Sequence, residues 1–415
     1  MTITPTDADL LVVGGGNAGA ALALAAAEGG LTVILLDATP VARRTAPDFD
    51  GRAYALAAAS VKALRALGVW ESVAPRAQAM REIRISDGRL GDPGPVRLRF
   101  EGAELDRAPF AWLLEDRWLR SALLEAVAAH ANIEHRSPAR LADHRADGAR
   151  VRATLEEGGE ISARLIAACD GKRSAVAARA GLRRSGRRYG QTGLVCAVRH
   201  DAPHEGVARQ IFYPGGPFAI LPLPGEDGAG DVSSLVWSER EPVAARIAAL
   251  DDAAYLAEVE RRMGGLLGPV ALVGRRWAYP LELSLAYAYV GDRVAAVGDA
   301  AHAVHPIAGQ GFNLALRDVA ALAETLAEAR RRGEDVGAAG VLRRYERWRR
   351  FDSTGLAAAT DGLNRLFSTG FTPLRALRDA GLACVDAAPG LKRSFMTAAA
   401  GLSGDAPRML RGEAP

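Results

Sequence analysis

The stretch GDAAHAVHPIAGQGFNLALRDV, residues 298–319, combines an acid, two histidines and a glycine-rich turn. These residue types could form a metal site, a catalytic histidine pair or a cradle for a negatively charged group. A metal site is disfavoured, because His302 and His305 fall on a predicted turn and no third ligand lies nearby in the sequence. Packing or hydrogen bonding beside a ligand is the favoured interpretation of both histidines. The turn precedes a predicted amphipathic helix, whose free N–H groups favour an anionic or electron-rich group.

A second glycine-rich turn lies near the N-terminus, in DLLVVGGGNAGAALALAAAEGGLTVILLDA. The apolar run Leu10–Val13 predicts a strand, the residues up to about Glu28 predict a helix, and LTVILLD predicts a second strand that ends in Asp37. A G-x-G-x-x-G turn between a strand and a helix, with an acid about twenty residues on, is typical of a dinucleotide-binding site. This segment alone does not distinguish NAD from FAD.

Each residue of this turn has an expected role at a dinucleotide. Gly14 permits the tight turn, Gly16 lets a pyrophosphate approach the backbone, and Gly19 lets the helix pack closely on the strand. A carboxylate at the tip of the second strand can accept hydrogen bonds from ribose hydroxyls. The predicted contacts are Gly14, Gly16, Asn17, Ala18, Gly19 and Asp37.

The run from Leu10 to Ala27 contains no charged residue and is nearly long enough to span a bilayer. Three consecutive glycines interrupt it, and glycine is unfavourable in a helix interior. A strand, a turn and a buried helix are therefore predicted instead. The first residues, MTITPTDAD, carry acids where a signal peptide or a mitochondrial presequence carries bases, so a cytoplasmic protein is expected.

Composition narrows the class of protein. The chain has 415 residues, of which 49% are hydrophobic and 24% charged, as in soluble globular proteins. The formal net charge is +3, which does not argue for a nucleic-acid partner. Cys169, Cys196 and Cys384 are far apart and lack metal-ligand spacing, which fits a reducing compartment.

The residues of the opening stretch resemble a motif of known flavoproteins. Gly298-Asp299, His305-Pro306 and GQGFN at 309–313 resemble the GD motif of single-component flavoprotein aromatic hydroxylases. The resemblance implies that Asp299 binds the ribityl chain of FAD and that the glycine turn faces the flavin ring. The cofactor contacts it implies here are Asp299, Pro306, Gly309, Gln310, Gly311 and Asn313.

Two further motifs agree with this resemblance. LIAACDGKRSAVA, with Asp170, resembles the DG motif that lies between the cofactor and the nicotinamide donor, although Ala177 stands where an arginine is common. Asp50-x-Arg52-x-x-Ala55-Leu56 resembles a signature of the ubiquinone-biosynthesis hydroxylases. By resemblance Arg52 lies beside the flavin with a catalytic role, and Arg120 faces the cofactor from a helix. The alternative for both arginines is a solvated surface charge.

The implied fold is α/β, with a Rossmann-type FAD-binding domain, an inserted β-sheet substrate domain and a helical C-terminal region. The first is expected to comprise residues 1–80, 108–184 and 286–330. The second comprises 81–107 and 185–285, and the third 331–415. Pro217, Pro222 and Pro224 predict an irregular or edge strand within the second.

The family implies an FAD-dependent monooxygenase that uses NAD(P)H and O2. Its implied substrate is the aromatic ring of a polyprenylated phenol of the 2-polyprenyl-6-methoxyphenol type, in ubiquinone biosynthesis. No side chain is identified as a base for the phenol, since the cofactor carries the chemistry. Two alternatives stay open: a flavin-dependent reductase of prenyl double bonds, and a non-catalytic flavoprotein in a biosynthetic assembly.

The C-terminal region contains the basic run RRYERWRRF and then GLNRLFSTGFTPLRALRDAGLACVDAAPGL, in which apolar and basic residues alternate. The first run is interpreted either as a solvated helix face or as a surface attracted to anionic lipid. The second is interpreted either as lying against a bilayer or as buried against the protein. Peripheral contact with the inner membrane and with a ubiquinone-biosynthesis assembly is one expectation.

Overall fold

The computed structural model describes residues 7–102, 109, 111–225, 228–367, 381–402 and 404–415, with Ala308 described without its side chain. The strands are β1 Ala8–Val13, β2 Val33–Leu36, β3 Ala53–Ala57, β4 Gln78–Met80, β5 Glu82–Asp87, β6 Val96–Glu101, β7 Ala111–Glu115, β8 Ile133–Arg136, β9 Leu141–Asp147, β10 Arg150–Leu155, β11 Glu160–Ala168, β12 Arg184–His200, β13 Val207–Tyr213, β14 Gly216–Leu223, β15 Val232–Arg240, β16 Val270–Ala286, β17 Val290–Gly291, β18 Val294–Ala296 and β19 His302–Ala303. The α-helices with defined bounds are α1 Asn17–Glu28, α2 Val41–Arg44, α3 Ala58–Ala66, α4 Trp70–Val73, α5 Asp116–Ala129, α6 Ala175–Arg179, α7 Glu241–Ala248, α8 Asp252–Met263, α9 Gln310–Arg331, α10 Ala339–Phe367, α11 Pro389–Ala399 and α12 Arg408–Arg411.

The first sheet has the order β17-β18-β11-β1-β2-β8, and β10 and β9 extend from β11. Its central strands β18, β11, β1, β2 and β8 run parallel to one another. Nearly all residues of β1 and β2 are buried and apolar, as expected for parallel strands that are covered on both faces. The uncharged N-terminal run is thus a strand, a turn and a helix, as predicted. No helix in the described ranges combines the length and the hydropathy needed to cross a bilayer.

The parallel strands bring four sequence motifs to one edge of this sheet. Pairing is in register at Leu36, Val13, Ala168 and Ala296, the last residues of β2, β1, β11 and β18. The motifs follow directly after these four strands, at Asp37, Gly14, Asp170 and Gly298. Ligands of open α/β sheets bind outside the carboxyl ends of the strands, so this edge is where the site is expected.

The second sheet has the order β19-β16-β12-β15-β14-β13-β5-β6 and is mostly antiparallel. The edge-strand prediction for the prolines is wrong. Pro217 and Pro222 belong to β14, which lies between β13 and β15 in the interior of the sheet. Each is the second residue from an end of the strand, so the ladder hydrogen bond that proline cannot donate is lost near the ends and not at the centre.

A third, small sheet has the order β3-β7-β4. Helices α1 and α9 pack against each other, and α10 packs on α9, so the largest buried apolar cluster lies between these helices and the first sheet. The α/β fold class is confirmed. The proposed boundaries between a cofactor unit, a substrate unit and a C-terminal region stay a prediction.

Candidate functional site

The N-terminal turn, Gly14–Gly19, is shaped by close contacts that exclude side chains. Gly14 has φ +111°, and a Cβ there would lie 2.4 Å from the carbonyl oxygen of Cys169. A Cβ on Gly19 would lie 1.9 Å from the carbonyl oxygen of Gly14, so the helix can approach the strand only with glycine here. Gly16 differs, because a Cβ at this position would meet no atom within 4 Å. Its backbone therefore faces open space at the start of α1.

Asp37 lies against this turn, but its carboxylate is mostly occupied. A Cβ on Gly15 would lie 2.4 Å from Oδ2 of Asp37, which shows how closely the two approach. Arg44 donates from Nε to Oδ2 at 2.8 Å and from Nη2 to Oδ1 at 2.9 Å, and the Thr39 amide donates to Oδ1. Asp37 is only 1% exposed. These three hydrogen bonds leave one acceptor position, on Oδ2, for a ribose hydroxyl.

The GD turn, Gly298–Asp299, packs against the N-terminal turn. Gly298 has φ +61°, and a Cβ there would lie 3.7 Å from Cβ of Ala18 and 3.1 Å from Cβ of Ala315. The Asp299 side chain is open to solvent, yet burial among the surrounding atoms raises the pKa of its carboxyl. A carboxylate that is both surrounded by protein and accessible lines a cleft. The two turns thus border a single concavity.

Arg184 fixes this turn to the DG turn, Asp170–Gly171. Its Nη1 donates to the carbonyl oxygens of Lys172, Asp299 and Ala300 at 2.9 to 3.1 Å. Oδ2 of Asp170 accepts from the first amides of α6, but Oδ1 is buried without a hydrogen-bond partner among the described residues. An unpaired buried carboxylate oxygen is costly, so it favours a donor supplied by a ligand.

The second glycine turn, Gly309–Gly311, begins α9. Gly309 has φ +63° and packs against Ala55, whereas a Cβ on Gly311 would meet nothing within 4 Å. Pro306 precedes this turn and Gln310 opens the helix, and both are half-buried. The Gly309 amide donates to the carbonyl oxygen of Pro306, and the space beside Gly311 lies at a helix N-terminus, a position that suits an electron-rich group.

Asn313 does not fit the predicted cofactor contact. Its Oδ1 accepts from the amide of Ala57 and the hydroxyl of Ser60, and its Nδ2 donates to the carbonyl oxygens of Ala55 and Gly309. The side chain is 3% exposed and its hydrogen-bonding capacity is filled. Asn313 therefore fastens α9 to β3 and positions the glycine turn, and its side chain has no group left for a cofactor.

Asp116, which the sequence analysis did not single out, connects the remaining predicted residues. Its Oδ1 accepts from Nδ2 of Asn17 at 2.9 Å. Its Oδ2 lies 2.7 Å from Nη1 of Arg120 and 3.2 Å from Nη2 of Arg52. Asp116 is 3% exposed, while Nε of Arg120 is buried without a partner among the described residues. The buried carboxylate thus ties the start of α1 to both predicted arginines.

Arg52, which directly precedes β3, and Tyr54 on β3 lie at this point. Arg52 also pairs with Oδ2 of Asp50 through Nη2, and its guanidinium lies over the ring of Trp277. The ring of Tyr54 is 5.0 Å from that of Phe312, centroid to centroid. Burial raises the pKa of Tyr54, and the charge of Asp116 raises it further. Tyr54 therefore keeps its phenolic proton. It lies near Asp116, which bonds the start of α1, and near Phe312 at the start of α9.

The two histidines of the opening stretch lie behind this surface. Nε2 of His302 is 2.6 Å from Oδ2 of Asp318, whose Oδ1 accepts from Nε of Arg349 at 2.7 Å. His305 is fully buried and accepts from the amide of Ile307. Burial lowers the pKa of His305 to about 4, so the ring is neutral at physiological pH. Both histidines act here in packing and hydrogen bonding, as interpreted from the sequence.

The described residues contain no group of three side chains that could hold a metal ion. They do fit a dinucleotide, because Gly16 and Gly311 each leave open space at the start of a helix, and the two helices, α1 and α9, pack against each other. Unpaired polar atoms of Asp170 and Arg120 are buried near its edges. The individual cofactor contacts stay a prediction.

Comparison with known proteins agrees with this geometry. Residues 7–356 match the family model described as FAD binding domain. The chain is 42% identical to ubiquinone hydroxylase UbiL of Rhodospirillum rubrum, covering 98% of this chain and 93% of that one. It is 34% identical to 3-demethoxyubiquinol 3-hydroxylase of Escherichia coli, over 97% of this chain and 100% of that one. The chain belongs to the FAD-dependent ubiquinone-hydroxylase family. Members of this family are monooxygenases that act on aromatic rings, and FAD is their cofactor.

The fold agrees as well. The crystal structure of p-nitrophenol 4-monooxygenase PnpA from Pseudomonas putida superposes with a TM-score of 0.77 at 21% sequence identity. The superposition covers 97% of this chain and 99% of that one. At this identity the likeness establishes the FAD-binding monooxygenase fold and nothing finer.

Proposed function

We propose that this protein hydroxylates the aromatic ring of a polyprenylated phenol in ubiquinone biosynthesis, with NAD(P)H and O2 as co-substrates. The observation that carries the proposal is the packing of Gly298 between Ala18 of α1 and Ala315 of α9, which places the GD turn against the two helices that begin at the glycine turns. The family supports the reaction type, and the relatives named above act on ubiquinone precursors by their names. The substrate of this chain, its ring position and its tail length belong to the proposal.

The chain would hold FAD with residues of both turns. The amides at the start of α1, next to Gly16, would bind the pyrophosphate, and Asp299 would accept a hydrogen bond from the ribityl chain. The backbone dipoles of Gly309–Gly311 would stabilise negative charge on the flavin ring. Bound FAD supplies the redox chemistry, in which NAD(P)H is oxidised and O2 is activated. Arg52 would place a cation beside the ring, where it can steady a phenolate.

A membrane surface is the proposed source of so apolar a substrate. Helix α10 exposes Arg343, Arg347 and Arg350 with no ion pair among the described residues, and the next residue, Phe351, is 89% exposed. Basic side chains next to an exposed aromatic ring are suited to binding an anionic bilayer. Residues 368–380 of the alternating apolar and basic stretch lie outside the described residues. Co-sedimentation with anionic and neutral vesicles tests this contact, and equal binding to both would argue against it.

The central experiment measures NAD(P)H oxidation by the FAD-loaded protein with and without short-chain prenylphenols, with products identified by mass spectrometry. A substrate-stimulated rate and a product with one added oxygen support the hydroxylase. A product with a reduced prenyl double bond supports the reductase, and no turnover with any phenol supports the non-catalytic flavoprotein. Asp299→Ala should lose FAD more readily than Asp292→Ala, a control at an exposed position.

A further inference from the structure

An aromatic stack lies beside Arg52 and is not used by the proposed chemistry. The rings of Trp277 and Tyr279 on β16 are nearly parallel, with an interplanar angle of 9° and centroids 6.0 Å apart. The guanidinium carbon of Arg52 lies 5.1 Å from the centroid of Trp277. Nε1 of Trp277 donates to the carbonyl oxygen of Asp50, which holds the indole against the Arg52 segment. The stack thus has one end at Arg52 and the other at Tyr279.

The Tyr279 end is open to solvent. Its side chain is 40% exposed, although it could have packed inward as most large aromatics do. Trp277 is half-buried, so it supports Tyr279 from below. Burial raises the pKa of Tyr279, so the phenol is neutral at physiological pH. The outermost ring of the stack therefore offers a flat, uncharged aromatic face to a ligand.

The surroundings of this face are cationic. Arg52 is 38% exposed at its side chain. Arg275, two residues before Trp277, is exposed and has no ion-pair partner among the described residues. The segments that carry the two arginines pack closely together. A Cβ on Gly51, the residue before Arg52, would lie 2.8 Å from the carbonyl oxygen of Arg275. Arg52 is already paired with Asp50 and Asp116, so Arg275 is the cation available beside this face. An aromatic face next to such a cation is complementary to a ring that carries phosphates.

These properties select among the molecules that the reaction requires. A polyprenylated phenol needs an apolar enclosure, and an open face among arginines does not provide one. A reduced pyridine nucleotide has two aromatic or conjugated rings and a pyrophosphate, and it must bind and leave from solvent. The N-terminal turn offers one dinucleotide site, which FAD fills under the proposed function. The nicotinamide donor therefore needs a second binding surface near Arg52.

We propose that the Trp277–Tyr279 stack beside Arg52 is the docking platform for a ring of NAD(P)H, with its phosphates directed to Arg275. This inference rests on the proposed function and names the surface that receives its reductant. Stacking of a base on an aromatic side chain contributes enough that alanine at Tyr279 should weaken NAD(P)H binding about 5- to 150-fold. Binding of FAD should be unchanged, because Tyr279 belongs to neither glycine turn.

The test compares Tyr279→Ala, Tyr279→Leu and Tyr279→Phe with a matched control, Tyr287→Ala, whose side chain is 56% exposed. FAD occupancy is read from absorbance. Anaerobic stopped-flow reduction gives the Kd for NAD(P)H separately from the limiting rate. Calorimetric titration of the FAD-loaded protein with NAD⁺, NADP⁺ and ADP-ribose measures binding without turnover.

We expect Tyr279→Ala and Tyr279→Leu to raise the Kd for the nucleotide at full FAD occupancy, while Tyr279→Phe and Tyr287→Ala bind as the wild type does. Should the alanine variant lose FAD or fail to fold, the leucine variant decides. Wild-type binding in the leucine variant overturns the inference. A loss of binding in Tyr279→Phe as large as in Tyr279→Leu also overturns it, since the ring face is then not the contact. If the wild type itself is not reduced by NAD(P)H, the proposed function fails, whatever the variants do.

Discussion

The Asp116 carboxylate pairs with Arg52 at 3.2 Å and so connects the first residue of α5 to the residue directly before β3. The same carboxylate accepts from Asn17 at the start of α1 and from Arg120 one turn along α5. The start of α1, the proposed place of the pyrophosphate, and Arg52, the arginine proposed to lie beside the flavin, are therefore held by a single buried acid. A displacement of Asn17 should therefore shift Arg52, and the reverse.

Removing this acid should weaken FAD binding. Asp116→Ala leaves the guanidinium of Arg120 buried without its anion and leaves Arg52 paired with Asp50 alone. Hydrogen bonds to charged groups contribute about 1.5–3 kcal/mol, so we expect the Kd for FAD to rise about ten- to a hundredfold. Asp116→Asn keeps one acceptor oxygen and should lose less. Ultrafiltration with free FAD measures the Kd, and Glu125→Ala, an exposed acid on the same helix, is the control. Equal losses in Asp116→Ala and Glu125→Ala would contradict the prediction.

Two glycines of the N-terminal turn should respond differently to alanine. Gly16→Ala places a methyl group in open space at ordinary backbone angles, so thermal stability should stay within a few degrees of the wild type. The methyl occupies the space of the pyrophosphate, and overpacking of about 1–3 kcal/mol should weaken FAD binding about 5- to 150-fold. Gly14→Ala forces a Cβ onto the carbonyl of Cys169 at φ +111° and should lower the melting temperature even without FAD. Tight FAD binding by Gly16→Ala would refute the placement of the pyrophosphate.

Arg52→Ala should impair turnover more than cofactor retention. The arginine lies outside both glycine turns, and its cation is proposed to lie beside the flavin ring. If its contact matters in the transition state, the loss is about ten- to a hundredfold in rate. FAD occupancy is checked by absorbance, and hydroxylated product is counted per NAD(P)H consumed. Arg65→Ala, an exposed arginine on α3, serves as the control. Normal product formation by Arg52→Ala would show that the arginine is structural.

The ion pairs behind the GD turn should be important for stability. Arg349 is 2% exposed and pairs with Asp318, which is fully buried and also bonds His302 and the amide of Gly298. Arg349→Met leaves this carboxylate with an unmatched charge, and breaking a buried pair costs about 3–5 kcal/mol. Arg347→Met, at an exposed position on the same helix, should change the free energy of unfolding by less than about 0.5 kcal/mol. Urea denaturation compares the two, and similar midpoints would contradict this role.

His305 should make the fold sensitive to acid. Burial lowers its pKa from 6.5 to about 4, so the unfolded chain binds more protons than the folded one between these values. Above pH 6.5 the histidine is neutral in both states and does not lower the free energy of unfolding. As the pH falls from 6.5 to about 4, the free energy of unfolding decreases by about 3 kcal/mol. His305→Gln should lack this part of the pH dependence in urea denaturation. An unchanged slope in His305→Gln would assign the acid sensitivity to other groups.

Local patterns predicted the elements that carry the glycine turns. The apolar runs before Gly14 and Asp37 are strands of the central sheet, and the helix after Gly309 begins at Gln310. These elements are determined by neighbouring residues, so periodicity and glycine spacing suffice to identify them. The order of the parallel strands then brings the separate motifs to one edge.

The partners of the site residues were not predictable in the same way. Asp116 is the acid in the first turn of a helix, a position at which acids are common for local reasons. Its contacts with Asn17 and Arg52 depend on three elements from different sheets and helices. Asn313 belongs to a recognisable motif, but only its four hydrogen bonds to β3, α3 and Gly309 reveal that it supports the turn.

Helix α10 completes the wall behind the GD turn, since the Tyr345 hydroxyl donates to the carbonyl oxygen of Ala296 and Arg349 reaches Asp318. During synthesis the N-terminal turn leaves the ribosome long before these residues do. A nascent chain therefore contains the N-terminal half of the cofactor site before the C-terminal half has been synthesised. Its apolar strands stay exposed until the last helices are made. We therefore expect FAD to bind late in biogenesis. Chains that terminate before Tyr345 should lack FAD, and hence its colour, and should be degraded by proteases.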